Sequence, residues 1–281
     1  MAIVETGSLV RASVQLNVTQ STVTARLKSL ERDLGQALIN RQKSGATLTA
    51  AGVRLLRYAQ TISDLWGQAR QETALPGAFD AVCNMACHPD LWPDLGEKLF
   101  TEIHQSQPSV AISLWQGGAA EITRWMASGL VDLALTYSSA AGSSQVSRPL
   151  FVDNICLFST VADGMIKFDP GYVFVEAGEE FGRWHAAAYA DAGTARLNFG
   201  LAQLGLDHIL KHGGSAYLPA RVAAPAVEKG TLHLLQTAPV FARSAFVVTN
   251  KAVDHTWPWL EATLSKLPTY GSDSTYHSDD R

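Results

Sequence analysis

No apolar run in this chain of 281 residues approaches the roughly 18 that a membrane-spanning helix needs. No membrane-spanning helix is therefore expected in it. The opening residues, MAIVETGSLVRASV, show no basic start followed by an apolar stretch, so no secretory signal is read there and a cytoplasmic location is expected. Cysteine is scarce and odd in number: Cys83, Cys87 and Cys156. That disfavours a disulfide framework and predicts buried free thiols, with a redox pair of Cys83 and Cys87 as the other reading. Also missing are a Gly-x-Ser-x-Gly elbow, a phosphate-binding P-loop and paired metal-binding cysteines. Asp90 and Asp94 flank Trp92, yet no nucleophile, base and oxyanion donor assemble around them, so neither an enzyme nor a cofactor is expected. His208 and His212 stand four apart and could share a metal. No third ligand accompanies them, and the dipole at a helix end explains them as well, so no metal is expected.

What is present is ordinary in bulk: 47% apolar and 17% charged residues, as in globular proteins. The length exceeds what one core organises and predicts two or three domains. The formal net charge of -4 is unevenly spread. Residues 1–72 carry nine Lys/Arg against five acids, whereas residues 73–281 carry 13 against 21. A basic head on an acidic body suits a head that faces phosphates.

Within that head, residues 9–34 read as a helix, a tight turn at Asn17 and Val18, and a second helix. Thr19 is placed to cap the second helix, and Gly35 to end it in a left-handed turn. Val23, Leu27, Leu30 and Leu34 recur at spacings of 4, 3 and 4, which predicts one buried face. The opposite face offers Gln20, Ser21, Thr22, Thr24, Ala25, Lys28 and Ser29, small polar and basic groups able to meet base edges or phosphates. A plain surface helix pair is the alternative. Next, Leu38–Ile39 and Thr47–Leu48 read as two short strands around a turn at residues 42–46, a wing that would carry Arg41 and Lys43 to the flanking DNA backbone. Thr49 then caps a long helix to about Glu72. Its Leu55, Ala59, Ile62, Trp66 and Ala69 form a heptad seam, which predicts a partner helix in a homodimer or, alternatively, packing on the chain's own body.

This string, ETGSLVRASVQLNVTQSTVTARLKSLERDLGQALINR followed by TLTAAGVRLLRYAQ, resembles the DNA-binding domain of bacterial LysR-type transcriptional regulators over residues 4–72. The resemblance implies a winged helix-turn-helix that binds double-stranded DNA through Thr19, Gln20, Ser21, Thr24, Lys28, Arg41 and Lys43. It also implies a dimerising linker helix and a C-terminal effector-binding domain. Two departures stand out. Met1 falls inside the family's first helix and leaves it only Ala2, Ile3 and Val4, so either the true start lies upstream or the head is weakly supported. Ala25 replaces a residue that is often basic or polar, which predicts a lost contact.

Beyond a linker at residues 73–77, strand and helix patterns alternate: strands near 78–84, 110–114, 132–136, 172–175 and 241–249, helices near 90–105, 121–128, 180–192, 202–211 and 257–267, and a crossover at 148–158. The alternation predicts a mainly parallel sheet covered by helices. This body resembles the family's periplasmic-binding-protein-like domain of two α/β lobes, with GLVDLALT, YVFVEAGEEFGRWHAA and GGSAYLPARVA as the best local matches. Ligands of open α/β sheets sit beyond the strand C-termini. The expected effector residues are therefore Ala86, Cys87, His88, Thr136, Tyr137, Glu176, Gly178, Phe181 and Tyr217, with free N–H groups at the helix after His88 suited to an anion. His88 as a plain cap, and Trp92, Trp115, Trp125 and Trp184 as core, are the bland alternatives.

The expected architecture is a winged helix-turn-helix at 1–48, a dimerisation helix at 49–75 and an effector domain at 78–268. Lobe I would take about 78–150 and 242–268, lobe II about 151–241, and 269–281 a disordered tail. The expected function is a sequence-specific transcription regulator acting as a homodimer or homotetramer under an unidentified small-molecule effector. The alternative is a dimeric small-molecule-binding protein with a defective DNA-binding head.

Overall fold

The computed structural model describes residues 1–42, 45–75, 77, 79–139, 142–167, 169–191, 193–251, 253 and 257–267. The chain divides into two compact units, residues 1–75 and 76–281. The expected tail at 269–281 and Lys43 of the wing lie outside the described residues.

The first unit begins with α1 (Ala2–Thr6) and α2 (Leu9–Gln15), followed by α3 (Gln20–Leu34). Asn17 takes a positive φ of 52° in the turn before α3. Thr19 caps α3, its hydroxyl accepting the Thr22 N–H at 3.2 Å, and Gly35 ends it at φ 64°, the left-handed value that glycine adopts without steric cost. Strands β1 (Ile39–Gln42) and β2 (Gly45–Leu48) pair antiparallel, Ile39 opposite Leu48. This hairpin is longer than the two short strands expected. It is tied at both ends: Glu31 of α3 accepts the Leu38 N–H at 2.9 Å, and Ala46 N–H donates to Gly7 O at 2.8 Å. Then α4 (Ala50–Thr73) starts with the Gly52 N–H on Thr49 Oγ1 at 3.0 Å.

The expected buried stripe of α3 is only half realised. Val23 and Leu27 are buried, but Leu30 and Leu34 are 44% and 46% exposed. The reason is length. At 1.5 Å per residue, the seven residues of α2, the helix that packs on α3, span about half of a fifteen-residue helix.

The second unit is built on one large sheet: β3 (Ala81–Cys87), β4 (Val110–Gln116), β5 (Leu133–Thr136), β6 (Gln145–Ser159), β7 (Tyr172–Val175), β8 (Leu197–Phe199), β9 (Ser215–Pro219), β10 (His233–Leu234) and β11 (Phe241–Asn250). Their order is β4-β3-β5-β11-β6-β9-β7-β8, with β10 also on β6. The sheet is mixed rather than mainly parallel. β3 runs parallel to β4 and β5, and β7 to β8 and β9, but β11 is antiparallel to β5 and β6, and β6 to β9. The antiparallel seam arises because β6 and β11 are long strands shared by both ends of the sheet. One end packs α5 (Glu97–Ser106), α6 (Ala119–Ser128) and α10 (Leu260–Leu264) around cores that include Cys83, Met85, Leu99, Ile122 and Trp257. The other packs α7 (Glu179–Ala188), α8 (Ala202–His212) and α9 (Ala220–Glu228) around Phe158, Val173, Phe181 and Leu218. Between these lobes the β6–β11 ladder slips by one residue: Ala245 faces Phe151 and Phe246 faces Pro149, leaving Leu150 as a bulge.

The helix expected over 90–105 begins late. Pro93, which lacks an N–H, and Asp94 at φ 70° break the backbone between a short 3-10 turn at Pro89–Leu91 and α5. Four elements among the described residues had no counterpart in the sequence reading: β8, β9, α9 and β10.

Candidate functional site

On the head, α3 presents Gln20, Ser21, Ala25, Arg26 and Lys28 to solvent, with Thr24 half-buried. Thr19 is exposed, but its hydroxyl is occupied by the cap and lies 2.8 Å from the hydroxyls of both Ser21 and Thr22. Arg41 is exposed on β1 of the wing. A capped helix with an outward row of amide, hydroxyl and ammonium groups, flanked by a hairpin with a guanidinium, is shaped to enter a major groove and touch the adjoining backbone. On α4, Ile62 and Trp66 are 66% and 67% exposed, Ala69 is exposed, and Leu55 and Ala59 are half-buried. Tryptophan so exposed on a regular seam is a large apolar surface without cover in its own unit.

In the body, a buried polar cluster joins the two lobes. Asp90, in the turn after β3, accepts the Ala202 N–H at the start of α8 at 3.0 Å, so an acid of one lobe caps a helix of the other. Arg221 of α9 donates to Asp153 Oδ2 at 3.2 Å, to Tyr137 Oη at 3.0 Å and to the carbonyls of Asp90 and Pro93. Tyr137 donates to Asp153 Oδ2 at 2.6 Å. Arg243 of β11 stacks on the Tyr137 ring at 3.4 Å, donates through Nη1 to Ala177 O at 3.0 Å, and sets Nη2 3.6 Å from Asp90 Oδ2. Two arginines thus face two aspartates, with every one of these side chains at most 10% exposed.

The cluster sets the protonation of its neighbours. Burial pushes the His88 pKa down to about 4; Asp90 opposes this, and the charges of Arg243 and Arg221 add to it. Neutral His88 accepts the Asp90 N–H on Nδ1 at 3.2 Å, a bond the protonated ring could not accept. Burial also raises the Tyr137 phenol, so its proton stays available to Asp153. For Arg221, burial opposes the charge, but Tyr137, Asp153 and Asp90 together outweigh it and its pKa is raised.

Comparison with known proteins gives the head its identity. The family described as the bacterial regulatory helix-turn-helix protein, lysR family, matches residues 1–53. The curated relatives include the HTH-type transcriptional regulators HdfR of Escherichia fergusonii and Escherichia coli, each 26% identical over 241 residues, 85% of this chain and 85% of theirs. The head is thus a lysR-family helix-turn-helix, and the chain is similar over most of its length to HTH-type transcriptional regulators. The likeness in fold runs almost end to end. ArgP from Mycobacterium tuberculosis superposes with a TM-score of 0.57 at 20% identity, covering 95% of both chains. Full-length LysG from Corynebacterium glutamicum, a structure with bound effector Arg, gives 0.54 at 20%, covering 94% of this chain and 93% of that one. CrgA from Neisseria meningitidis gives 0.54 at 19%, covering 95% and 96%. These LysR-type neighbours share the arrangement of a helix-turn-helix followed by a two-lobed α/β body.

Against that LysR-type frame, the expected effector residues separate. His88 and Tyr137 meet edge to face at 4.9 Å beside the arginines. Gly178, the first residue of the α7 cap, follows the carbonyl that Arg243 holds, and the exposed Glu176 accepts its N–H. Ala86 and Cys87 are fully buried in the lobe I cores and offer no surface. The Cys87 thiol is pushed up to about 12 by burial, as is that of Cys83, and all three cysteines are free. Thr136 is buried and accepts the Ser138 N–H. Phe181 and Tyr217 are inside the lobe II core, 5.8 Å apart. The helix start expected to bind an anion after His88 is instead a 3-10 turn whose Asp90 N–H is taken by His88 itself. Asp90, Asp153, Arg221 and Arg243 were not singled out by sequence reasoning as effector ligands. Arg221 lies inside GGSAYLPARVA and Arg243 on the returning strand, and only the pairing of β11 with β5 and β6 brings Arg243 to Tyr137 and Asp153. Among the described residues no helix is long and apolar enough to cross a membrane, and no three ligand-type side chains cluster to hold a metal.

Proposed function

We propose that this regulator works as a homodimer in the cytoplasm, that it reads duplex DNA through Gln20, Ser21, Thr24 and Lys28 of α3 with Arg41 and Lys43 on the flanking backbone, and that Thr19 acts chiefly by capping that helix. The observation that carries this reading is the exposed polar face of α3 on a helix closed at both ends. Two heads joined through the α4 seam of Leu55, Ala59, Ile62, Trp66 and Ala69 address two half-sites, which multiplies apparent affinity. The domain limits follow: a reading head to residue 48, a dimerisation helix to 75, and a body whose lobes change over near residues 150 and 242.

The effector assigned to the body is a small anion bound where the lobes meet. Arg243 is 10% exposed, yet its Nε and Nη2 have no hydrogen-bond acceptor among the described residues. Helix α7, which follows the Ala177 carbonyl held by Arg243, has no side-chain cap. Buried donors without acceptors are costly, and an anion offers them partners. Because Asp90 and Arg221 clasp both lobes, such a ligand acts by binding one lobe arrangement better than another.

A salt titration with duplex DNA tests the head. The logarithm of affinity falls linearly with that of salt, and Lys28→Ala or Arg41→Ala flattens the slope by about one each. A wild-type chain indifferent to duplex DNA at low salt defeats the proposal. The exposed Leu30 and Leu34 of α3 favour a second reading, a ligand-binding dimer with a defective head, and that same outcome selects it.

A further inference from the structure

Lobe II holds a cavity of about 720 Å³ lined by none of the inter-lobe residues His88, Asp90, Tyr137, Arg221 or Arg243. This volume lies within the range of small-molecule sites. Its walls are the rings of Tyr172, Phe174, His185, Tyr189 and Tyr217. Their polar atoms are satisfied by one another. Tyr172 Oη lies 2.7 Å from His185 Nε2, Tyr189 Oη 2.6 Å from Tyr217 Oη, and Tyr217 donates to Pro239 O at 3.0 Å. The rings of Tyr172 and His185 are nearly parallel, with centroids 5.7 Å apart, and Phe174 meets His185 at 75°. The hydroxyl pairs lock the rings in place, so the cavity presents ring faces and edges fixed before any ligand arrives.

The charged lining is unequal. Asp169 is spent on the Gly171 N–H and the Ser215 hydroxyl. Lys167 pairs with Asp191 at 3.1 Å. Arg196 lines the cavity and has no ion-pair partner among the described residues. Burial lowers the His185 pKa, so the imidazole adds no competing charge at neutral pH. Rigid aromatic walls with one uncommitted guanidinium match a flat ring bearing a carboxylate.

We propose that this cavity is a second ligand site, independent of the inter-lobe site, and that it takes planar aromatic carboxylates of one or two rings, the ring against Tyr172, Phe174 and Tyr189 and the carboxylate on Arg196. The test is calorimetric titration of the full-length protein with benzoate, para-hydroxybenzoate and cyclohexanecarboxylate. Two variants probe the site: Ala186→Phe, which fills the cavity from an exposed position on α7, and Arg196→Gln, at an exposed position. Arg243→Gln is the control at the other site. The expected result is saturable binding of the two aromatic acids, at least fivefold tighter than the cyclohexane acid. Both cavity variants weaken it tenfold or more, while Arg243→Gln, titrated under conditions where circular dichroism shows it folded, still binds the aromatic acids. If Ala186→Phe fails to fold, Arg196→Gln decides. No saturable binding at millimolar aromatic acid overturns the proposal. So does binding lost in Arg243→Gln but kept in Arg196→Gln, which would put the ligand between the lobes.

Discussion

Arg243 lays its guanidinium 3.4 Å above the ring of Tyr137, and the two come from neighbouring antiparallel strands, β11 and the end of β5. The same guanidinium reaches Asp90 of lobe I and the Ala177 carbonyl of lobe II. It is therefore a tie between lobes, and under the proposed function also a donor for the effector. Removing one member of a buried charged group strands the others, at a cost of about 3 kcal/mol or more. Arg243→Met is expected to destabilise the body by about that amount, and Asp90→Asn to do so partly through the same contact. Denaturant unfolding of both single variants and the double variant measures the coupling, expected at about 1–3 kcal/mol. Effects that add to within about 0.5 kcal/mol would dissolve the tie. In a thermal-shift screen, small carboxylates that protect wild type through this site are expected to lose that protection in Arg243→Gln.

How far this site could be read in advance depended on the range of the interactions. The α3 face and its Thr19 and Gly35 caps follow from spacings of three and four residues, and they appear in place. His88 and Tyr137 follow from the rule that sites gather beyond strand ends, and that rule does bring them together. Arg243 and Arg221 are different. Each is brought to the cluster by contacts that span 66 or more residues or by the antiparallel return of β11, and no local pattern encodes such pairings. The exposure of Leu30 and Leu34 was hidden for a related reason: periodicity identifies a face, but the length of the covering helix decides how much of it is covered.

His88 gives the body a pH dependence of fixed sign. Its pKa is about 4 in the fold against an ordinary 6.5. Between these values the unfolded chain binds a proton that the folded chain does not, so stability is full above about 6.5 and falls as pH drops toward 4. The loss at this one group is on the order of 3 kcal/mol. His88→Asn keeps an acceptor for the Asp90 N–H and removes the titration, so unfolding free energies measured from pH 7 to 4 should show a shallower slope. His185, lowered in the same direction by burial, keeps part of the slope in that variant. An unchanged slope would mean that His88 is not held neutral.

Ile62 and Trp66 place two large apolar side chains on one exposed face of α4. Ile62→Glu and Trp66→Glu are expected to turn a dimer into a monomer in sedimentation equilibrium without lowering helix content. Apparent DNA affinity should then fall by roughly a hundredfold or more as the second head is lost. A Trp66→Glu protein that sediments as wild type places the interface elsewhere.

Two glycines of α4 make opposite predictions. A Cβ on Gly52 would stand 2.2 Å from Leu38 O and 2.8 Å from Leu48 Cδ2. The first neighbour is backbone, and it already accepts the Thr49 N–H at 2.9 Å, the bond that leads the chain into α4. It cannot retreat without breaking that entry, so Gly52→Ala should loosen the join between wing and helix by about 1–3 kcal/mol. Gly67, in the interior of the same helix, is exposed and has nothing within 4 Å of its missing Cβ. Gly67→Ala should therefore stabilise α4 by about 0.5–1 kcal/mol, because the unfolded chain loses freedom and the helix gains a better former. Hydrogen–deuterium exchange separates the two: peptides covering residues 36–56 should exchange faster in Gly52→Ala, and those covering residues 60–74 more slowly in Gly67→Ala. Slower exchange in both would mean that the wing packs less closely on α4 than the Leu38 carbonyl indicates.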